Sequence, residues 1–201
     1  MSLTVNAKNF LVSLLLRIPK HFQIARIRRI HDYQNLESSL LNVGKGTYGS
    51  SNIVIHNWDL SSRAYVGKYC SIADNVHLFL GGNHDMQRVT TFPFSIAENG
   101  QIELGGPTFS KGDITIGNDV WIGSHVSIMS GIRVGNGAVI AAFSHVVKDV
   151  LDYEVVGGNP ARHIKFRFSR KTIETLLEVS WWDWSEDKII ENQEFLLKPP
   201  E

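Results

Sequence analysis

The sequence predicts an all-β solenoid, a parallel β-helix of six-residue rungs, and three observations carry that prediction. Ile116, Ile122, Ile128, Val134, Ile140 and Val146 recur at one fixed interval. Small or β-branched residues, Val120, Val126, Ile132, Ala138 and Ser144, each stand four places after an aliphatic. Gly117, Asn118, Gly123, Gly131, Gly135 and Asn136 punctuate the run, as corners with positive φ require. Neither an amphipathic helix nor an alternating strand produces this register. A hexapeptide β-helix does.

Each rung supplies a strand of about 4 residues, rising roughly 3.3 Å per residue, and a corner. Three rungs close a triangular coil, so residues eighteen apart stack: Ile116 over Val134, Ile122 over Ile140, Ile128 over Val146. The same register appears upstream at Leu60, Val66, Ile72 and Leu78, with Ala64, Cys70 and Val76 in the small slots. Two copies of one pattern separated by a gap mean one prism with an excursion.

Read in order, residues 1–41 form a basic, helical segment, residues 42–160 the solenoid with a loop over 81–112, and residues 161–201 a C-terminal helical extension. Before Asp32 the chain carries Lys8, Arg17, Lys20, Arg26, Arg28 and Arg29 and no acid. Such a segment suits a cap over the open end of the prism, with weak contact to an anionic membrane surface as the alternative. Phe10 to Ile18 is apolar but far short of the roughly 20 residues of a spanning helix. In the extension Ile173, Leu176 and Leu177, with Trp181 and Trp184, fall on one helical face. The cluster Trp181-Trp182-Asp183-Trp184 reads as a helix packed on its neighbour before it reads as a sugar platform.

A chain of 201 residues that is 43% hydrophobic fills one domain. Its zero formal net charge gives no global field for nucleic acid. Cys70 stands alone in an inward slot and reads as core, with a reducing cytoplasm as the compartment.

Chemistry concentrates in the excursion, because about 30 residues without a clear period inside a regular prism mark a functional loop. It opens Gly81-Gly82-Asn83-His84. His84 is the histidine placed where the solenoid breaks register. From position alone it is as compatible with a structural role as with a catalytic one. His125 and His145 occupy corner or outward slots, His77 ends a hexapeptide, His56 precedes the first clear coil, and His163 follows the prism.

The segments GGNHDMQRVTTFPF (Gly81 to Phe94), KGDITIGNDVWIGSHVSIMSGIRVGNGAVIAAFSHVVKDV (Lys111 to Val150), VVGGNPARHIKFRF (Val155 to Phe168) and SWWDW (Ser180 to Trp184) together resemble the hexapeptide acetyltransferases. The likeness is to the xenobiotic, or CatB-related, O-acetyltransferase branch. The resemblance implies a left-handed parallel β-helix assembled as a homotrimer, with acetyl-CoA as cosubstrate bound between subunits and no permanently bound cofactor. It implies that His84 is catalytic, that Ser124 and Ala142 line the pantetheine track, and that Lys148 and Lys165 lie near the nucleotide. Asn83 and Trp121, the latter in the family's VWIG motif, are implied on the acceptor side; for Asn83 a plain turn role competes. Gly157, Gly158 and Pro160 match the turn that ends the prism.

The implied chemistry needs a base, since a neutral hydroxyl is a poor nucleophile toward a thioester and an imidazole can take its proton. Asp85 is a poor candidate to orient His84, because adjacent side chains seldom face each other. The basic start and the RVTTFPF run resemble the glycan-decorating members of the family more than the drug-modifying ones, which implies a sugar hydroxyl of envelope polysaccharide as acceptor. An antibiotic hydroxyl, streptogramin or chloramphenicol, and a sugar amine are the alternatives. A zinc hydratase would need three converging histidines, and the coil histidines lack any recognisable spacing for one. A non-catalytic β-helix scaffold would leave the His84 loop without a purpose. No P-loop, Rossmann fingerprint or Cys-His zinc cluster is present.

Overall fold

The computed structural model describes residues 40–58, 62–92, 94–96, 102–104 and 108–200. The expectations for the basic N-terminal segment, up to residue 39, and for Leu60 lie outside the described residues.

The chain winds as a left-handed parallel β-helix. Its first coil carries β1 (Leu41–Val43) and β2 (Ile53–His56). The second carries β3 (Ala64–Val66), β4 (Ser71–Ile72) and β5 (Val76–Phe79). The excursion contains β6 (Phe94–Ile96) and β7 (Ile102–Leu104), paired antiparallel, so the segment read as aperiodic holds a hairpin. The third coil is β8 (Ile114–Ile116), β9 (Trp121–Ile122) and β10 (Ser127–Met129), and the fourth β11 (Arg133–Val134), β12 (Val139–Ile140) and β13 (His145–Val146). Then β14 (Glu154–Gly157) and antiparallel β15 (Arg162–Phe166) close the stack.

Each prism face is one sheet. The first face is β1-β3-β8-β11, the second β4-β9-β12-β14-β15, and the third β2-β5-β10-β13. Ile116 pairs in register with Val134, Ile122 with Ile140 and Ile128 with Val146, the stacking that a period of eighteen demands. Across the excursion the partners are Val66 with Ile116, Ile72 with Ile122 and Leu78 with Ile128, 50 apart instead of eighteen. The excursion therefore adds 32 residues without shifting the register. These aliphatics and the small-slot residues Ala64, Cys70, Val76, Val120, Val126, Ile132, Ala138 and Ser144 are all buried. Each fully buried Val, Leu or Ile contributes about 1.5–3 kcal/mol. Cys70 serves the core as expected: its Sγ lies 3.1 Å from the Gly117 carbonyl, and burial pushes the thiol pKa up.

The corners correct one expectation. Gly131 has φ +77, but Gly117, Gly123 and Gly135 do not use the left-handed region. They are glycine because the next coil lies against them: a Cβ would fall 2.8 Å from Asn136 N, 2.6 Å from Ala142 N and 2.4 Å from Asp152 N, respectively. Asn118 and Asn136 are not left-handed either. Their carboxamides accept from adjacent coils, Lys68 N–H to Asn118 Oδ1 at 2.8 Å and Asn118 N–H to Asn136 Oδ1 at 2.9 Å. Positive φ falls instead on Tyr69, Asn75, Asp119, His125, Phe143 and Tyr153, with Gly137.

The C-terminal extension, expected to be helical, first runs as strand β15 and turns helical only at α1 (Arg170–Val179), capped by Ser169, whose hydroxyl accepts from Thr172 N–H. The helix stops at Ser180, φ 39; Trp181 opens a separate 3-10 turn (Trp181–Asp183) and Trp184 follows it in extended conformation, so neither belongs to the apolar face of α1. Trp182 is buried, Trp181 lies 5.0 Å from the Tyr69 ring, and Lys68 pairs with Asp183 at 2.8 Å. This is the packing role expected of the cluster. Two short helices follow, α2 (Glu186–Glu191) and α3 (Gln193–Leu196). No helix among the described residues is long and apolar enough to cross a membrane.

Gly135→Ala forces a methyl into the backbone of the next coil. It is expected to destabilise the fold by about 1–3 kcal/mol, read from urea denaturation.

Candidate active site

Two insertions leave the prism at the same edge, between the third and first faces. One is the excursion. The other, over 57–63, makes first- and second-coil partners such as Val54 and His77 23 apart. The shorter insertion supports the neck of the longer. Ser62 Oγ donates to Ser110 Oγ at 2.7 Å, and Ser110 donates to the Leu80 carbonyl at 2.5 Å. Gly82, φ +77, leaves no room for a side chain: its Cβ would lie 2.5 Å from the Trp58 ring.

Asn83 ties the two ends of the excursion together. Its N–H and carbonyl pair with those of Phe109 at 3.1 and 3.0 Å. Its carboxamide donates to the Phe109 carbonyl at 3.0 Å and to the buried Ser130 hydroxyl at 3.2 Å. Its amide hydrogens are thus spent on the neck, the structural role that competed in the sequence.

His84 follows immediately and is exposed. Its Nδ1 lies 2.7 Å from the Thr91 carbonyl oxygen, which can only accept. The Nδ1 proton is therefore fixed and Nε2 carries the lone pair, pointing to no partner among the described residues. Asp85 does not orient the ring: it accepts from Gln87 N–H at 3.0 Å and from Arg88 Nε at 3.2 Å. Sequence reasoning could not find Thr91, because a backbone carbonyl leaves no signature in residue type.

The other expected site residues sit elsewhere. Ser124 and Ala142 stack on successive coils at the edge between the second and third faces, where Phe143 N–H donates to the Ser124 carbonyl at 2.9 Å. Trp121 stands outward on the second face, 59% exposed. By register it shares a row with Ser71, Val139, Val155 and Lys165. Lys148 is on the His84 edge two coils further along, where it lines a cavity of about 160 Å³ with Glu154, Arg162 and His163. Glu154, buried, accepts from Leu151 N–H at 2.8 Å and faces His163 Nδ1 at 2.8 Å. No spacing in the sequence announced that pair. Within one chain the third face separates His84 from Ser124 and Ala142. Among the described residues no three His, Cys, Asp or Glu side chains are grouped to hold a metal.

The third face also carries an aromatic cluster that the sequence reading passed over. His56 Nε2 lies 2.8 Å from His77 Nδ1, and the His56 ring stacks 4.3 Å from Phe79 and 6.1 Å from Trp58. Burial, and secondly the neighbouring His77, hold the His56 pKa below its ordinary value.

Comparison with known proteins bears on this arrangement. The bacterial transferase hexapeptide family (six repeats) matches residues 113–148. A probable macrolide acetyltransferase of Lysinibacillus sphaericus is 47% identical over 150 residues, covering 72% of this chain and 83% of that protein. A chloramphenicol acetyltransferase of Morganella morganii is 37% identical over 171 residues, covering 78% of this chain and 81% of its own. Among solved structures, a hexapeptide-repeat acetyltransferase of Vibrio cholerae complexed with acetyl-CoA superposes with TM-score 0.51 at 26% identity, covering 65% of this chain and 62% of that one. The match thus spans just under two thirds of that structure's length.

The depressed pKa of His56 ties stability to pH. Unfolded, His56 takes a proton near its ordinary value of 6.5, while the folded ring resists until lower pH. The unfolded state then binds more protons, so stability falls as pH drops below about 6.5 and is retained above it. His56→Phe is expected to flatten this acid limb in thermal melts between about pH 7.5 and 5.

Proposed function

The chain belongs to the bacterial hexapeptide-repeat acetyltransferases, with acetyl-CoA as cosubstrate, and we propose that it acetylates a hydroxyl of an antibiotic with His84 as general base. The observation that carries this reading is the 2.7 Å contact from His84 Nδ1 to the Thr91 carbonyl. It leaves Nε2 as the acceptor, on an exposed loop held at a rigid neck. Nε2 takes the acceptor's hydroxyl proton while the oxygen bonds to the acetyl carbonyl carbon. The carbon–sulfur bond then breaks, and the imidazolium returns the proton to the departing CoA thiolate. Backbone N–H groups at a prism corner stabilise the oxyanion.

Ser124 and Ala142 line the pantetheine arm, Lys148 and Lys165 face the nucleotide, and Trp121 lies toward the acceptor. His84 and the Ser124–Ala142 edge flank opposite sides of the third face, so one chain does not unite them. A homotrimer, in which a neighbouring copy brings its own edge to the loop, does. The domain boundaries follow: a basic segment over 1–41, the catalytic prism over 42–160 and the extension over 161–201. The enzyme works in the cytoplasm, where acetyl-CoA is made.

Two observations support an antibiotic over the envelope sugar expected from the sequence. The macrolide and chloramphenicol acetyltransferases reported above match across most of the chain. The loop beyond His84 also presents Met86 and Val89 to solvent, apolar groups suited to a hydrophobic acceptor.

His84→Ala is expected to lower turnover by roughly 10²- to 10⁴-fold while the Kd for acetyl-CoA stays within about twofold. Near-normal turnover removes His84 from the mechanism. In a CoA-release screen, macrolide, chloramphenicol and streptogramin hydroxyls are the expected acceptors. Release with glycosyl precursors alone replaces the antibiotic with a sugar.

A further inference from the structure

The left-handed corner residues form ladders along the prism edges, and two of those ladders are treated differently. On the edge between the first and second faces they are Gly46, Tyr69, Asp119, Gly137 and Tyr153. Every member with a side chain there is covered by the C-terminal extension. Tyr69 meets Trp181 at 5.0 Å, Asp119 meets Arg167 at 3.3 Å, and Tyr153 meets Phe168 at 5.8 Å. Burial pushes the Tyr153 hydroxyl up to about 12.

On the edge between the second and third faces the ladder is Asn75, His125 and Phe143, with φ of 57, 59 and 60. Here the side chains are left open. The Phe143 ring stacks on His125 at 4.8 Å and 16°, and Phe143 is 70% exposed. Among the described residues its ring contact is with His125 alone. Positive φ strains a bulky residue, and glycine takes it freely at Gly131 and Gly137 in the same prism. Within one chain, a strained and exposed phenylalanine therefore adds nothing to the fold that a glycine would not give. Strain of this kind gathers where a ligand is held.

We infer that the stacked His125–Phe143 pair is a wall of the donor site, contacting the pantetheine arm of acetyl-CoA. The inference rests on the proposal that Ser124 and Ala142 line that arm, since His125 and Phe143 are the next residue along each coil. The Phe143 ring offers an apolar face to the methyl and methylene groups of the arm. The Asn75 carboxamide lies 3.3 Å from His125 Nε2 and donates to it, which places the His125 proton on Nδ1. That N–H is then available to a pantetheine amide carbonyl. The stack holds both groups in place before the ligand arrives.

The test is Phe143→Gly, which relieves the backbone and is expected to melt at or above the wild-type temperature. Its Kd and KM for acetyl-CoA are expected to rise about tenfold, while the KM for the acceptor stays within about twofold. S-acetylpantetheine, which lacks the nucleotide, is expected to lose the same factor, and native mass is expected to be unchanged. An unaltered Kd for acetyl-CoA overturns the wall. So does a loss confined to acetyl-CoA and absent with S-acetylpantetheine, which moves the contact to the nucleotide. A shift in native mass also overturns it, assigning the pair to contact between copies. Wild-type protein that binds acetyl-CoA while Phe143→Gly matches it defeats the wall alone; wild-type protein that binds none defeats the proposed function as well.

Discussion

Coil-on-coil stacking at the spacing of hydrogen-bonded strands is the constraint on which this molecule depends. Parallel strands lie about 4.8 Å apart, so each coil must sit flat on the next at every edge as well as on every face. The aliphatic columns satisfy this inside. Outside, Gly117, Gly123 and Gly135 satisfy it by omission, since each would place a Cβ against the backbone of the following coil. Beside Gly117 and Gly135, the ladder from Lys68 through Asn118 and Asn136 to Asp152 satisfies the backbone amides of the corner. Register, once set by these contacts, positions every outward side chain.

The three edges consequently diverge in use. One is sealed by the C-terminal extension through Tyr69, Asp119 and Tyr153. One bears both insertions and delivers His84. The third stays open, with Ser124, His125, Ala142 and Phe143 in two adjacent pairs. A triangular prism gives each edge a separate chemical environment while its core repeats unchanged.

The fold was legible because burial repeats with the chain's own period: the columns built on Ile116, Ile122 and Ile128 could be written down from spacing. The role of the glycines was half legible. Spacing located the corners, but close approach and positive φ both select glycine, and sequence does not distinguish them. His84 was visible because it interrupts a pattern and because a motif surrounds it. Thr91 was not, since its contribution is a carbonyl that any residue carries. The His56–His77 contact was hidden for a different reason: the insertion over 57–63 changes the spacing, so the two rings meet at a separation that a strict period of eighteen does not show.

Because 32 residues enter between Leu78 and Ile128 and leave the stacking register intact, the prism constrains the excursion at its neck and not in its length. Evolution can rewrite the inserted segment, in length or in polarity, without disturbing the coil edge that carries Ser124 and Ala142.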